Sequence, residues 1–207
     1  MLFLLVVLTS CASHDGMREG VATWYGPGFH GRQTSSGERF DMYGLTCAHR
    51  EYPFGTRLKV TNRTNNKDVV CTVNDRGPFV SGRDIDLSYG AAKEIGLLGQ
   101  GVAEVVMEPL DRDARYVKEL VYKSRLPEGP LTIQVAAFRE ESQALKLRLE
   151  LEEKYSNVYI METEKKGVKY FRVRIGKFRN QVEALRTGKD LAEEGYEVMI
   201  SEFEQKI

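Results

Sequence analysis

An internal repeat constrains the fold of a chain more tightly than its composition does, and this sequence repeats a strand-and-helix pattern once near its C-terminus. Ile133-Gln134-Val135-Ala136-Ala137-Phe138-Arg139 returns forty positions later as Val173-Arg174-Ile175-Gly176-Lys177-Phe178-Arg179, and Ala144-Leu145 returns as Ala184-Leu185. Each copy reads as an alternating strand followed by a helix. The helices carry apolar stripes at Ala144, Leu147, Leu151 and Tyr155, and at Ala184, Leu185, Leu191 and Ala192. Asn180 with Glu183 is an N-cap arrangement, and Gly195 is a C′ stop. Strands at 157–163 and 196–201 complete the order βαββαβ, an α+β ferredoxin-like sheet with its helices on one face. Because strand side chains alternate, Ile133, Val135, Phe171, Val173 and Ile175 should face the helices. Gln134, Tyr170, Arg172 and Arg174 should face away from them. Amide, phenol and guanidinium groups on an open sheet suit polar, ring-shaped ligands such as sugars. On alternation alone, a plain solvated face is the simpler reading.

The rest of the chain is built differently. Thirteen of the 19 glycines fall in residues 20–110, whereas no proline occurs beyond 130. Short runs such as Arg57-Leu58-Lys59-Val60-Thr61 and Val69-Val70-Cys71-Thr72-Val73, separated by turn residues, predict the strands of a small closed β structure. Further strands are expected at 20–25 and 102–107, with a polar turn over 62–67. Only residues 88–97 have helical spacing. Residues 111–129 are charged and end in Pro127-Glu128-Gly129-Pro130, which reads as a linker with a helical stretch around 116–124. Thirty Lys and Arg balance thirty Asp and Glu. That balance removes the electrostatic footprint of a dedicated nucleic-acid binder.

The groups capable of chemistry gather in the glycine-rich part. One cluster is Gly37-Glu38-Arg39-Phe40-Asp41 with Cys47-Ala48-His49; the other is Asn74-Asp75-Arg76-Gly77-Pro78-Phe79 with Arg83-Asp84-Ile85-Asp86-Leu87-Ser88. Carboxylates that directly follow a strand in Gly/Pro loops sit where a barrel opens to solvent. Asp84 and Asp86 are expected to serve structure instead, Asp86 and Ser88 as caps of the helix that follows. No nucleotide, metal or organic-cofactor motif is present: His30, His49, Cys47 and Glu38 follow no metal-ligand spacing.

Two resemblances sharpen these readings. The apolar run at 2–8 followed by Leu8-Thr9-Ser10-Cys11 is too short to span a bilayer and resembles a bacterial lipobox. It implies that residues 1–10 are a signal peptide, that Cys11 is lipidated, and that residues 11–19 tether the protein to a membrane. Ala12 after the cysteine implies the outer membrane. In such an oxidising compartment the remaining pair, Cys47 and Cys71, could form a disulfide. Trp24-Tyr25-Gly26, Phe29-His30-Gly31, Ala48-His49, Pro53-Phe54-Gly55-Thr56, the Asn74 to Phe79 stretch and Asp86-Leu87-Ser88 together resemble the rare lipoprotein A family. Residues 130–204 resemble a SPOR domain.

This resemblance implies a mainly β double-psi β-barrel over 20–110, followed by the SPOR domain. It also implies an endolytic lytic transglycosylase that cleaves the bond from N-acetylmuramic acid to N-acetylglucosamine without water, leaving 1,6-anhydro ends. Asp75 matches the family's acid/base. Glu38, Asp41 and His49 match its accompanying polar residues, with Glu38 and Asp41 placed to raise the Asp75 pKa. Gln134, Tyr170, Arg172 and Arg174 become the glycan-binding candidates. The expected partners are peptidoglycan strands without stem peptides, the membrane through the lipid anchor, and division proteins at the septum. Two other readings compete: an expansin-like protein that binds glycan without cutting it, and a Cys47/His49 nucleophilic hydrolase.

Overall fold

The structure, a computed structural model, describes residues 16–118, 120, 126 and 129–204. Cys11 and the expected signal segment lie outside these residues, as does most of the helix expected at 116–124. What is described of that helix begins with a single 3-10 turn, Ala114–Tyr116.

Six strands form the first module: β1 (Arg18–Trp24), β2 (Thr46–His49), β3 (Thr56–Asn62), β4 (Asp68–Asp75), β5 (Ile85–Leu87) and β6 (Ala103–Arg112). They close in the order β1-β5-β2-β4-β3-β6 as a double-psi β-barrel. Two of its pairings, β1 with β5 and β2 with β4, are parallel; the others are antiparallel. Alternation explains the core, since Leu58 and Val60 of β3 and Val69, Cys71 and Val73 of β4 turn inward and are buried. Each such side chain contributes about 1.5–3 kcal/mol when fully buried. Helix α1 (Tyr89–Glu94) plugs the barrel's side, and its N-cap is Ser88, which accepts from Ala91 N at 3.1 Å. Asp86 does not share that capping role. Gly90 has no alternative there, because a Cβ would stand 2.3 Å from the Tyr43 carbonyl oxygen.

The second module has the expected order: β7 (Leu131–Phe138), α2 (Glu141–Glu152), β8 (Val158–Lys165), β9 (Val168–Phe178), α3 (Gln181–Glu194) and β10 (Met199–Glu202). The strands form one antiparallel sheet, β10-β7-β9-β8. Ala144, Leu147 and Leu151 of α2 and Ala184, Leu191 and Ala192 of α3 are buried against it. Asn180 caps α3 by accepting from Val182 N at 2.8 Å, and Gly195 closes it with φ 102°. Strict alternation fails in β7, where a bulge at Gln134/Ala136 brings Ala136 opposite Val173 and Ala137 opposite Arg172.

The two modules are docked. Phe54 N donates to the Glu194 carbonyl at 2.9 Å. The fully buried Arg76 crosses the seam, its guanidinium stacked 3.7 Å from the Phe54 ring centre, with Nε 2.9 Å from Glu150 Oε1 and 3.1 Å from the Tyr196 hydroxyl. Nη1 donates to the carbonyls of His49 (3.3 Å) and Tyr52 (2.9 Å) on the barrel side. No helix among the described residues is long and apolar enough to cross a membrane.

Candidate active site

A cleft of about 380 Å³ opens where the barrel meets α2. Trp24, Tyr25, Asp75 and Asp86 line its barrel side, and Phe138, Gln143 and Lys146 line the other. Asp75 is the last residue of β4. Its Oδ1 accepts from Ser35 N (2.9 Å), Ser35 Oγ (2.7 Å) and its neighbour's Arg76 N (2.8 Å), while Oδ2 faces Lys146 Nζ at 3.8 Å. That is the environment of a carboxylate acceptor, held rigidly by the strand end and the 34–38 loop. Asp86 lies in the short β5, which pairs with β1 and β2 and so reaches the same cleft. Burial raises the Asp86 carboxyl above its ordinary range, and the nearby Asp75 charge adds to the rise; the Thr23 hydroxyl, donating to Oδ1, works in the opposite direction. Between them stands Tyr25, whose hydroxyl is buried with no hydrogen-bond partner among the described residues. Burial and then Asp75 push that phenol well up, so it remains a neutral donor.

The residues on either side of Asp75 do different work. Asn74 Nδ2 donates to Glu38 Oε2 at 3.0 Å, and the Tyr116 hydroxyl donates to the same oxygen at 2.6 Å. Glu38 therefore ties the 34–38 loop to β4 from outside the cleft. Tyr116 reaches it across Gly55, whose φ is 86° and where a Cβ would stand 2.6 Å from the Tyr116 Cβ. On the other side, Arg76 holds the carbonyl of His49. The His49 ring is buried, and its Nδ1 accepts from Glu51 N (3.0 Å) and Tyr52 N (3.1 Å). Burial lowers its pKa to about 4, so the imidazole is neutral with its proton on Nε2.

Residues 17–107 match the family described as lytic transglycolase, and residues 127–201 match the SPOR domain. The endolytic peptidoglycan transglycosylase RlpA of Campylobacter jejuni is 54% identical over 90 residues, covering 44% of this chain and 33% of that protein. The protein of the same name in Helicobacter pylori is 37% identical over 163 residues, 69% of this chain and 52% of its own length. The chain carries a domain of the lytic transglycolase family followed by a SPOR domain. It spans about a third to a half of the length of these relatives. A crystal structure of the RlpA SPOR domain from Pseudomonas aeruginosa matches 35% of this chain and 99% of its own, at 25% identity and a TM-score of 0.32.

The structure divides the expected site residues. Asp75 is in the cleft. Glu38 and His49 do not line it and act on the segments that hold Asp75 and Arg76. Asp41 stands apart: its side chain is 62% exposed, its Oδ1 accepts from Tyr43 N at 3.0 Å, and His30 Nδ1 lies 3.8 Å away. It is a turn-forming residue open to solvent, while the contacts of Asp75 come from Ser35, Arg76 and Lys146. Asp86, read from sequence as a cap, takes its place beside Asp75. Cys47 and Cys71, the pair expected to be bridged, stand side by side in the barrel core as free, buried thiols with sulfur atoms 2.7 Å apart. Burial, followed by the Cys71 contact, pushes the Cys47 thiol well up, which removes the Cys47/His49 nucleophile reading.

Of the four glycan-binding candidates, Gln134, Tyr170 and Arg172 are half-buried. Arg174 is 3% exposed, with Nη1 3.7 Å from Glu204, and its Nε and Nη1 have no hydrogen-bond partner among the described residues. The C-terminal Phe203 closes over this face, packing on Tyr159 and under Lys177. Among the described residues, no group of three His, Cys, Asp or Glu could hold a metal ion.

Proposed function

We propose that the chain is an endolytic lytic transglycosylase acting on peptidoglycan glycan in the periplasm, and that Asp75 and Asp86 share the acid/base work. The observation that carries this is the pairing of two half-buried carboxylates with unlike partners in one cleft: Asp86, raised by desolvation and bonded by the Thr23 hydroxyl, and Asp75, gripped by three donors. Unlike environments are how two carboxyls divide acid and base roles. Asp86 acts as the general acid and gives a proton to the glycosidic oxygen as the bond to the muramic C1 breaks. The muramic 6-hydroxyl oxygen then bonds to C1, and its proton passes to the Asp75 carboxylate. The product is a 1,6-anhydro end and a free hydroxyl on the departing sugar, with no water consumed. Tyr25 and the Lys146 side of the cleft orient the sugar, while Glu38, through Asn74, and His49, through the Arg76 turn, hold Asp75 in place as positioning residues.

The same reading extends to a lipid anchor at Cys11 in the outer membrane, a preference for strands stripped of stem peptides, and enrichment at the division septum through the SPOR module. Its support is the lipobox-like 8–11 segment and the match to the SPOR domain.

Incubating the full chain with purified sacculi, intact and stripped of peptides, and analysing products by mass spectrometry tests the reaction. Anhydro-muropeptides are expected from the wild type. Asp86→Asn and Asp75→Asn should each lower their formation about 10²–10⁴-fold, the usual worth of a general acid or base. Sacculus binding without any anhydro product would instead support the expansin-like reading.

A further inference from the structure

We infer that the catalytic cleft continues along the seam between the modules as one glycan groove, so that the second module supplies subsites of the active site as well as attachment to the wall. The inference rests on the proposed glycan-cleaving function. A second cavity of about 190 Å³ abuts the first and shares Gln33, Thr34, Ser35 and Phe138 with it. It runs from the 33–37 loop, whose Ser35 holds Asp75 in the first cavity, to Gln134 and Glu197 of the second module.

Three features fit this extension to a sugar polymer. Gln134 Oε1 is buried without a hydrogen-bond partner among the described residues, an acceptor whose unmet bond costs free energy until a donor arrives. The edge of β7 beyond Gln134 has no partner strand among the described residues, because β10 pairs only with residues 131–134. Those main-chain N–H and C=O groups from Val135 to Phe138 that point away from β9 therefore border the groove, matched to the acetamido groups of N-acetylated sugars. At the other end, the unpartnered Tyr25 hydroxyl gives the cleft a matching donor. Unmet polar groups thus lie at both ends of a continuous path that passes Asp75. The path exists only while the modules are docked, and the contacts of Arg76 with Glu150 and Tyr196 keep them so. An enzyme that cuts within strands must hold sugars on both sides of the scissile bond, and a groove with two module walls does so.

The test compares peptide-free glycan oligosaccharides of four and eight sugars, using the full chain. Gln134→Trp, which fills the distal end, should lower kcat/KM on the octasaccharide at least tenfold, through KM, and change that on the tetrasaccharide by less than twofold. Gln134→Ala, which removes the orphan acceptor without adding bulk, should lower it about threefold with the same length dependence. Equal kcat/KM for both variants and the wild type on the octasaccharide would overturn the groove while leaving the cleavage reaction standing. Equal losses on both substrates would also overturn it. If the wild type cuts neither oligosaccharide, the function reading falls, and calorimetric binding of the octasaccharide then decides the groove. Binding weakened by Gln134→Trp upholds it, and unchanged binding overturns it.

Discussion

In the cleft, Asp75, Asp86 and Lys146 are only partly covered, and the Tyr25 hydroxyl beside them has no partner. At the seam, the very next residue in the chain, Arg76, is wholly enclosed and meets two carbonyls, a carboxylate, a phenol and an aromatic face. The same strand end thus presents one charge to a ligand and commits the other to docking. The difference teaches how to sort charged residues in a motif such as Asn-Asp-Arg-Gly-Pro-Phe. A charged group enclosed on every side by the protein holds the structure, and a half-exposed one at a cavity wall does the chemistry.

The contrast can be broken most forcefully from the seam. Arg76→Ala strands the buried Glu150 carboxylate and empties the stack on Phe54. Removing one partner of a buried ion pair costs about 3–5 kcal/mol, which for a chain of this size lowers Tm by roughly 10 °C. Asp75→Asn, one residue earlier, keeps an acceptor for Ser35 and should move Tm by less than about 3 °C while removing activity. Calorimetric scans of the two variants side by side would refute the division of roles if their Tm losses were alike.

A subtler difference lies in pH. Burial raises the Glu150 carboxyl from 4.5 to about 7, against the opposing pull of Arg76, Tyr196 and Lys154 and with a small push from Asp75. Arg76 keeps its charge throughout, aided by Tyr196, Glu150 and Glu194. Between pH 4.5 and 7 the docked state holds a proton that the exposed carboxyl would release, so stability and docking fall as pH rises through this window. His49 acts with the opposite sign: its pKa is lowered to about 4 from 6.5, so stability is gained as pH rises across that range. Comparing wild type with Glu150→Gln cancels the His49 contribution. The wild type should lose stability relative to the variant by up to about 1.4 kcal/mol per pH unit between 4.5 and 7. Parallel stability curves for the two proteins would show that Glu150 does not titrate on docking.

Much of this architecture could be read from the residues, and the gaps have physical reasons. The repeat at Ile133 and Val173 declared two strand-helix units because local periodicity is enough to specify them. Alternation in Arg57 to Thr61 and Val69 to Val73 did the same for the barrel's longer strands. The short β5 was not legible: Ile85-Asp86-Leu87 has only three residues, and its partners, β1 and β2, come from distant parts of the chain. With Ser88 two positions later as the true cap, Asp86 looked like part of a helix start, and only barrel closure turns it into the cleft. The seam was invisible for the same reason, since Arg76 meets Tyr196 across 120 positions. Arg174 was placed on the correct face by alternation, but its burial depends on Glu204 and the chain end folding back, which no strand pattern encodes.

The smallest expected effect sharpens the comparison at its edge. Asp41 belongs to the same sequence cluster as Glu38, yet its carboxylate is mostly in water and bonded within its own turn. Asp41→Asn preserves an acceptor for Tyr43 N, so the turn should persist, and an exposed substitution of this kind changes stability by about 0.5 kcal/mol or less. Water screens its charge from Asp75, so the rate of anhydro-product formation should stay within about twofold of the wild type across the pH range of activity. A tenfold loss, or a displaced pH profile, would mean that Asp41 reaches the reacting sugar when glycan binds. The boundary between groups that hold the loop and groups that face the ligand would then have to be redrawn to include the turn at 41–44.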